Sequence, residues 1–359
     1  MSRIRGFSIV ELMVAITLAL IVTSGVLAVF AASRNSYQST SGTAALTDGG
    51  RFALDFIQNG VRGAGFLACN TAARNISMLN SPPTLALNFS QPLGGYEAQG
   101  TGPTGNYTVA TAPVAPDPSG GDWISGLDAA LANLVVQNND VLVVYSTLRN
   151  TQPVYASTIN DGTDNFIASG LGALQTGQLA VVSDCAKSVV FQISGISGSG
   201  TNIEIDHDMG AGPGNTSAIF PVSFETGSQV APVDTTVYYI GQGADGDGAL
   251  FALDLNATPN FTANELVPDI EAMQILYGVD TTGTQTVSQY VTADQVTGAN
   301  FNNVMSVKVA VLAASPLGSV PIPAAAATYT LLGTQVLAPR DTRSRQVFEI
   351  TITVRNSEN

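Results

Sequence analysis

The chain has 359 residues, enough to build a full hydrophobic core in one large or two small units. Its formal charge is -14, with Lys187 and Lys308 as the only lysines, so its surface repels phosphate backbones and nucleic-acid binding is disfavoured. A hydrophobic fraction of 45% argues against disorder, and a charged fraction of only 11% suits a turn-rich exported β protein better than a cytosolic enzyme.

The N-terminus carries the most information. Met1-Ser2-Arg3-Ile4-Arg5-Gly6 is short and basic, and Phe7-Ser8-Ile9-Val10-Glu11 follows it. From Leu12 to Ala32 there is neither a charge nor a proline. Such a run, as a helix, reaches about 31 Å, the thickness of a bilayer core. Arg3 and Arg5 hold the leader in the cytoplasm by the positive-inside rule, which puts the body beyond the inner membrane. A cleavable secretory signal has a shorter apolar core and a small-residue cleavage site. A plain signal anchor accounts for the length and the arginines but leaves Glu11 unexplained. A carboxylate beside lipid costs a few kcal/mol or more and marks a specific partner.

The run Gly6-Phe7-Ser8-Ile9-Val10-Glu11-Leu12 resembles the type IV prepilin signature. The resemblance implies that a prepilin peptidase cuts after Gly6, that Phe7 becomes the N-methylated first residue, and that Glu11 pairs with the N-terminal amine of a neighbouring subunit. Two charges that are costly in lipid then neutralise each other only in register, which makes the pair a docking check.

Beyond the membrane, Leu46, Gly50, Ala53, Leu54, Ile57 and Val61 fall at spacings of three and four and form one apolar face. A continuous helix from Phe7 to about Val61 is therefore expected, with Gly25, Gly42, Gly49 and Gly50 as weak points or bends. Gly60-Val61-Arg62-Gly63-Ala64-Gly65 ends it. The stretch Gly63–Ala68 imitates a dinucleotide fingerprint, but a helix precedes it and a loop follows, the reverse of what that motif needs. Ser81 to Asp122, rich in Pro, Gly, Thr and Ala, reads as a surface insertion with one short strand near Tyr107–Val109. Asp128 to Asn133 is expected to form a helical turn or two. Strands are expected over Asp140–Tyr145, Gln178–Val182, Ser188–Ile193, Asn202–Asp206, Thr236–Ile240, Leu250–Leu253 and Met273–Val279. Val307/Val309/Val311 and Phe348/Ile350/Ile352/Val354 alternate with polar or small residues, as in antiparallel strands with one wet face.

Body segments in order resemble the PilW-type minor pilins: Gly63–Phe66 before Cys69-Asn70, Ser183-Asp184-Cys185 before Val190-Phe191-Gln192, Tyr238–Gly241, Glu265–Val267 with Gln274–Gly278, and Arg345–Phe348 with Val354-Arg355-Asn356. The implied fold is α+β and pilin-like, a long N-terminal transmembrane and amphipathic helix packed on an enlarged antiparallel β-rich body. The implied division is a removed leader at 1–6, a helix at 7–62 crossing the membrane at about 12–32, and a periplasmic or extracellular body at 63–359. The implied role is that of a minor pilin in a complex priming type IV pilus assembly, located at the filament tip. Its partners would be the prepilin peptidase, other minor pilins, the major pilin, the assembly platform and a tip adhesin. A pseudopilin of a type II secretion system, a tip adhesin and a signal-anchored periplasmic enzyme are the alternatives.

Chemistry is otherwise sparse. Cys69 and Cys185 are expected to pair if the body is exported to an oxidising compartment. The one histidine, His207, lies between Asp206 and Asp208 and reads as a polar strand end rather than a metal ligand, since no Cys/His set accompanies it. Asp245 and Asp247 sit in a Gly-rich stretch that could wrap calcium, but the EF-hand pattern fails and Asp-Gly pairs are ordinary hairpin turns. No nucleophile elbow, phosphate loop or cofactor motif appears.

Overall fold

A computed structural model describes residues 8–71, 74–81, 84–109, 114–117, 121–148, 151–159, 162–210, 212–256, 262–296, 300–323 and 325–354. Helix α1 runs unbroken from Ile9 to Gly63. It starts at a capping box: Val10 N donates to Ser8 Oγ at 3.3 Å, and Ser8 N donates to Glu11 Oε2 at 3.0 Å, so two orphan amides of the first turn are satisfied. Hydroxyls along the apolar stretch turn back on their own helix, Thr23 onto Ala19 O and Ser24 onto Ile21 O. That hides their polarity on a surface otherwise made of carbon. The helix ends at Ala64–Gly65, where Gly65 adopts a φ of 72° and its N–H donates to Tyr145 O at 2.8 Å.

The expected apolar face is the one that packs. Gly42, Leu46, Gly50, Ala53, Leu54, Ile57, Gly60 and Val61 are buried, while the helix before them is exposed. The glycines are contact points rather than bends. A Cβ on Gly42 would lie 2.3 Å from Ser319 Oγ, and one on Gly50 would lie 2.2 Å from the Phe348 ring, so the helix backbone rests directly on the body at both places.

Two main sheets form the body. In the larger, the strand Gln229–Gln242 is central and changes partners along its length. Its first residues pair with Val154–Ile159 and Leu179–Ser183, and its later ones with Val141–Thr147 and Gly248–Asp254. Pro232, which cannot donate to a ladder, stands where the partners change. The apolar run Val141–Tyr145 is buried on both faces: Leu142 and Val144 meet the α1 core, and Val141, Val143 and Tyr145 meet a second core around Trp123 and Phe89. The second sheet is antiparallel, in the order Gln289–Val291, Ile270–Val279, Val304–Ala314, Arg345–Thr353. Helix α1 joins Val307, Val309, Val311, Ile352 and Tyr238 in one core that spans both sheets.

Three expectations change. The far face of Val304–Ala314 is not wet: Ala310 and Leu312 are buried under a small sheet made by Thr328–Leu331, Thr334–Leu337 and Asn106–Thr108. The described residues of Ser81–Asp122 are no surface insertion either, while 82–83, 110–113 and 118–120 lie outside the described residues. Leu85, Phe89, Leu93 and Ala98 are core residues, and Leu93–Tyr96 pairs with Val141–Val144. Single apolar residues among prolines and glycines carry no periodicity, so only the tertiary partner reveals them. Asp128–Asn133 forms successive turns instead of a helix, because Asp128 Oδ1 takes the Ala130 amide and Asn133 adopts a φ of 65°.

Candidate functional site: the exposed helix and its seat

Gly6 and Phe7 lie outside the described residues. Glu11 is exposed in the first turn of α1, its carboxylate hydrogen-bonded to Ser8 N and far along the helix from the body. From Ile9 to Phe30 the large apolar side chains are more than half exposed, with Ile9 at 78% and Phe30 at 68%. The helix is long and apolar enough to cross a membrane, and none of its apolar window is buried among the described residues. The seated half differs in kind. Beside the buried stripe a mostly apolar groove of about 430 Å³ runs between Ala45, Gly49, Phe52 and Phe56 of α1 and Leu266–Pro268 of the body.

A charge network holds the strand beneath this seat. Arg343 binds Asp247 and, at 2.7 Å, Asp269. Arg345 reaches Glu271 and Asp341, each at 2.5 Å. Burial works against the Arg343 charge, yet the hydrogen bond it donates to Asp269 and the charges of Asp247 and Asp269 raise its pKa overall. Asp245, Asp247 and Asp269 cluster closely enough to suggest a cation. Their cation is the Arg343 guanidinium, which already engages Asp247 and Asp269. The Gly243–Asp247 loop itself is a hairpin closure, with Gly243 N on Asp247 O at 2.8 Å and Gly246 at a φ of 88°. Neither Arg343 nor Asp269 was suggested by sequence spacing, because they lie far along the chain from the Asp-Gly pair.

Cys69 and Cys185 form a disulfide that ties the helix exit to the turn between Leu179–Ser183 and Ser188–Gln192. Cys185 adopts a φ of 69°, and its N–H donates to Ser183 Oγ at 3.2 Å.

His207 is not a polar strand end. It is 1% exposed, stacked on Phe220 at 4.0 Å and flanked by Phe191 and Phe166. Neither ring nitrogen has a hydrogen-bond partner among the described residues. Burial pulls its pKa down to about 4, so the ring is neutral. Asp208 turns away to accept from Ser194 Oγ at 3.0 Å. The missed signal is the set Phe166, Phe191, Phe220 and Phe224, aromatic residues scattered over separate segments that converge around the ring.

Comparison with known proteins fits this division of the molecule. Residues 1–27 match the prokaryotic N-terminal methylation motif. Residues 237–356 match the PilW model, described as Type IV Pilus-assembly protein W. That span holds the hairpin around Asp245 and the whole four-stranded sheet on which α1 rests. A solved structure, the type IV-like pilin TTHA1219 from Thermus thermophilus, shares 18% identity over 52% of this chain and 86% of its own, with a TM-score of 0.21. No curated protein matches the sequence.

Proposed function

Because the chain is a type IV pilin-like protein of the PilW type, we propose that it works as a minor pilin in a complex that primes pilus assembly and remains at the filament tip. PilW-type pilins are structural proteins, not enzymes. The observation that carries the reading is the division of α1: one half is seated on the body, and the other is apolar, exposed and opened by the methylation motif. In the proposed sequence, residues 1–6 stay in the cytoplasm, about 12–32 cross the inner membrane, and the body from 63 onward faces the periplasm. Prepilin peptidase removes Met1–Gly6, and Phe7 is methylated. On assembly the apolar half passes from lipid into a bundle of like helices, where carbon again meets carbon. Glu11 then gives up its weak hold on Ser8 N–H for the terminal ammonium of a neighbour, a stronger charge-assisted bond in a dry setting. A body of this size crowds repeated packing along a thin filament, which favours the tip. The other minor pilins, the major pilin, the platform protein and a tip adhesin are the proposed contacts.

Intact mass of the membrane-extracted protein, with and without prepilin peptidase, tests the first step. The expected mature species lacks Met1–Gly6 and carries one methyl group on Phe7, only when the peptidase is present. Glu11→Ala should still be cut yet fail to enter pili. An uncut chain in cells that make pili would refute the assembly reading.

A further inference from the structure

Asp140 sits just before the strand Val141–Thr147 and fastens three parts of the body together. Its Oδ1 accepts from Ala98 N at 3.1 Å, its Oδ2 from Ile275 N at 2.8 Å, and its own N–H donates to Met273 O at 3.1 Å. Asn139 beside it accepts from Met273 N at 2.8 Å. The pair thus acts as a short strand along the open edge of Ile270–Val279, joining the larger sheet to the sheet that seats α1.

Glu97 lies against Asp140 and is 4% exposed, and neither of its oxygens has a well-aligned hydrogen-bond donor among the described residues, the Ala293 amide being its nearest backbone neighbour. No Lys, Arg or His forms an ion pair with Glu97, Asp140 or the nearby Asp294 among those residues. The contrast with the Asp245–Asp247–Asp269 cluster is direct: that one contains an arginine, and this one has no cation of its own. Two adjoining buried carboxylates cannot both be ionised at modest cost.

We propose that Glu97 and Asp140 share one proton, with protonated Glu97 donating to Asp140, and that this proton latches the Ala98 segment and the Val141–Thr147 strand onto Ile270–Val279. Burial raises the Asp140 carboxyl too, to about 7. The two backbone amides pointing at it and the Glu97 side chain hold it below its partner, so above that pH Asp140 is the member that keeps the charge. Burial first, then the charges of Asp140 and Asp294, raises the Glu97 pKa. The titratable groups around the pair are Asp294 on its short turn, Tyr277 on Ile270–Val279 and Tyr107 on Asn106–Thr108, and none of them supplies positive charge. On alkalinisation the proton leaves to hydroxide and the latch faces two like charges.

The sign follows from linkage. A carboxyl raised in the folded state binds more protons there than in the unfolded chain, so stability falls as pH rises from its unfolded toward its folded pKa. The test uses the full chain in detergent micelles. Relative to Glu97→Gln, whose amide donates at any pH, the wild-type unfolding constant should rise about tenfold per pH unit between pH 5 and pH 8. Infrared spectra of the wild type at pH 8 should show the carbonyl band of a protonated carboxylic acid, lost at higher pH. That readout does not depend on whether the variant folds. Parallel slopes for the two proteins, or no such band, would overturn the proposal. So would calcium chloride that stabilises the wild type and not Glu97→Gln, since a cation would then occupy the proton's place.

Discussion

Gly49 and Gly50 are neighbours on α1, and alanine should move stability in opposite directions at the two. Both changes gain the same helix propensity, about 1 kcal/mol for Gly to Ala in a helix interior. They differ in what the new methyl meets. At Gly49 it would lie 3.7 Å from Val267 Cγ1, an ordinary contact, so the propensity gain should survive. At Gly50 it would lie 2.2, 2.3 and 2.7 Å from three atoms of the Phe348 ring, so the ring must move by more than an ångström or the helix must lift. Overpacking of this kind costs about 1–3 kcal/mol. Since propensity cancels between the twins, Gly49→Ala should exceed Gly50→Ala in stability by about that amount. Trp123 is the only tryptophan and is 1% exposed, so its fluorescence reports chemical unfolding of the full chain in micelles. Phe348→Ala should convert Gly50→Ala from a loss to a gain, a coupling of about 0.5–3 kcal/mol in a double-mutant cycle. If the twins shift the midpoint equally, or if Phe348→Ala leaves the Gly50 effect unchanged, the helix does not rest on that ring.

Two further outcomes are expected. Replacing Cys69 and Cys185 together by serine should cost about 4–5 kcal/mol in the chain-entropy account, because the bond closes a loop across 116 positions; a midpoint indifferent to reductant and to the double substitution would refute it. His207 is neutral when folded, and burial lowers its pKa from 6.5 to about 4, so the unfolded chain binds the extra proton in that window. Stability present above pH 6.5 should therefore fall as pH drops, by about 3 kcal/mol in all, and His207→Phe should lack this component when melting curves at pH 7 and pH 4.5 are compared.

Legibility followed locality. Helix α1 and its buried stripe could be read because Leu46 through Val61 repeat with the helical period, and the Val141–Tyr145 strand because its apolar run is unbroken. The meaning of Gly50 could not, since a glycine's role there depends on Phe348, almost the whole chain away. The same holds for the site residues. The N-terminal motif is contiguous and speaks for itself, whereas Glu97 and Asp140, or Asp247 and Arg343, become partners only after the sheets have formed. His207 misleads for a related reason: its acidic sequence neighbours Asp206 and Asp208 suggest water, while its spatial neighbours are phenylalanines.

The disulfide has a mechanical consequence. A subunit hauled by its N-terminal helix while its body is held feels tension enter the body at Gly65, a few residues past the end of α1. Once the line of force reaches Cys69 it crosses to Cys185 through sulfur, so the intervening chain bears no load and cannot be drawn out. Trp123, Ala98, Asp140 and the strand Val141–Thr147 all lie inside that bypassed loop, while the clasp's partners Met273 and Ile275 lie beyond it. The loop side of the weld between the two sheets is thereby kept slack under pulling, whatever becomes of the helix seat.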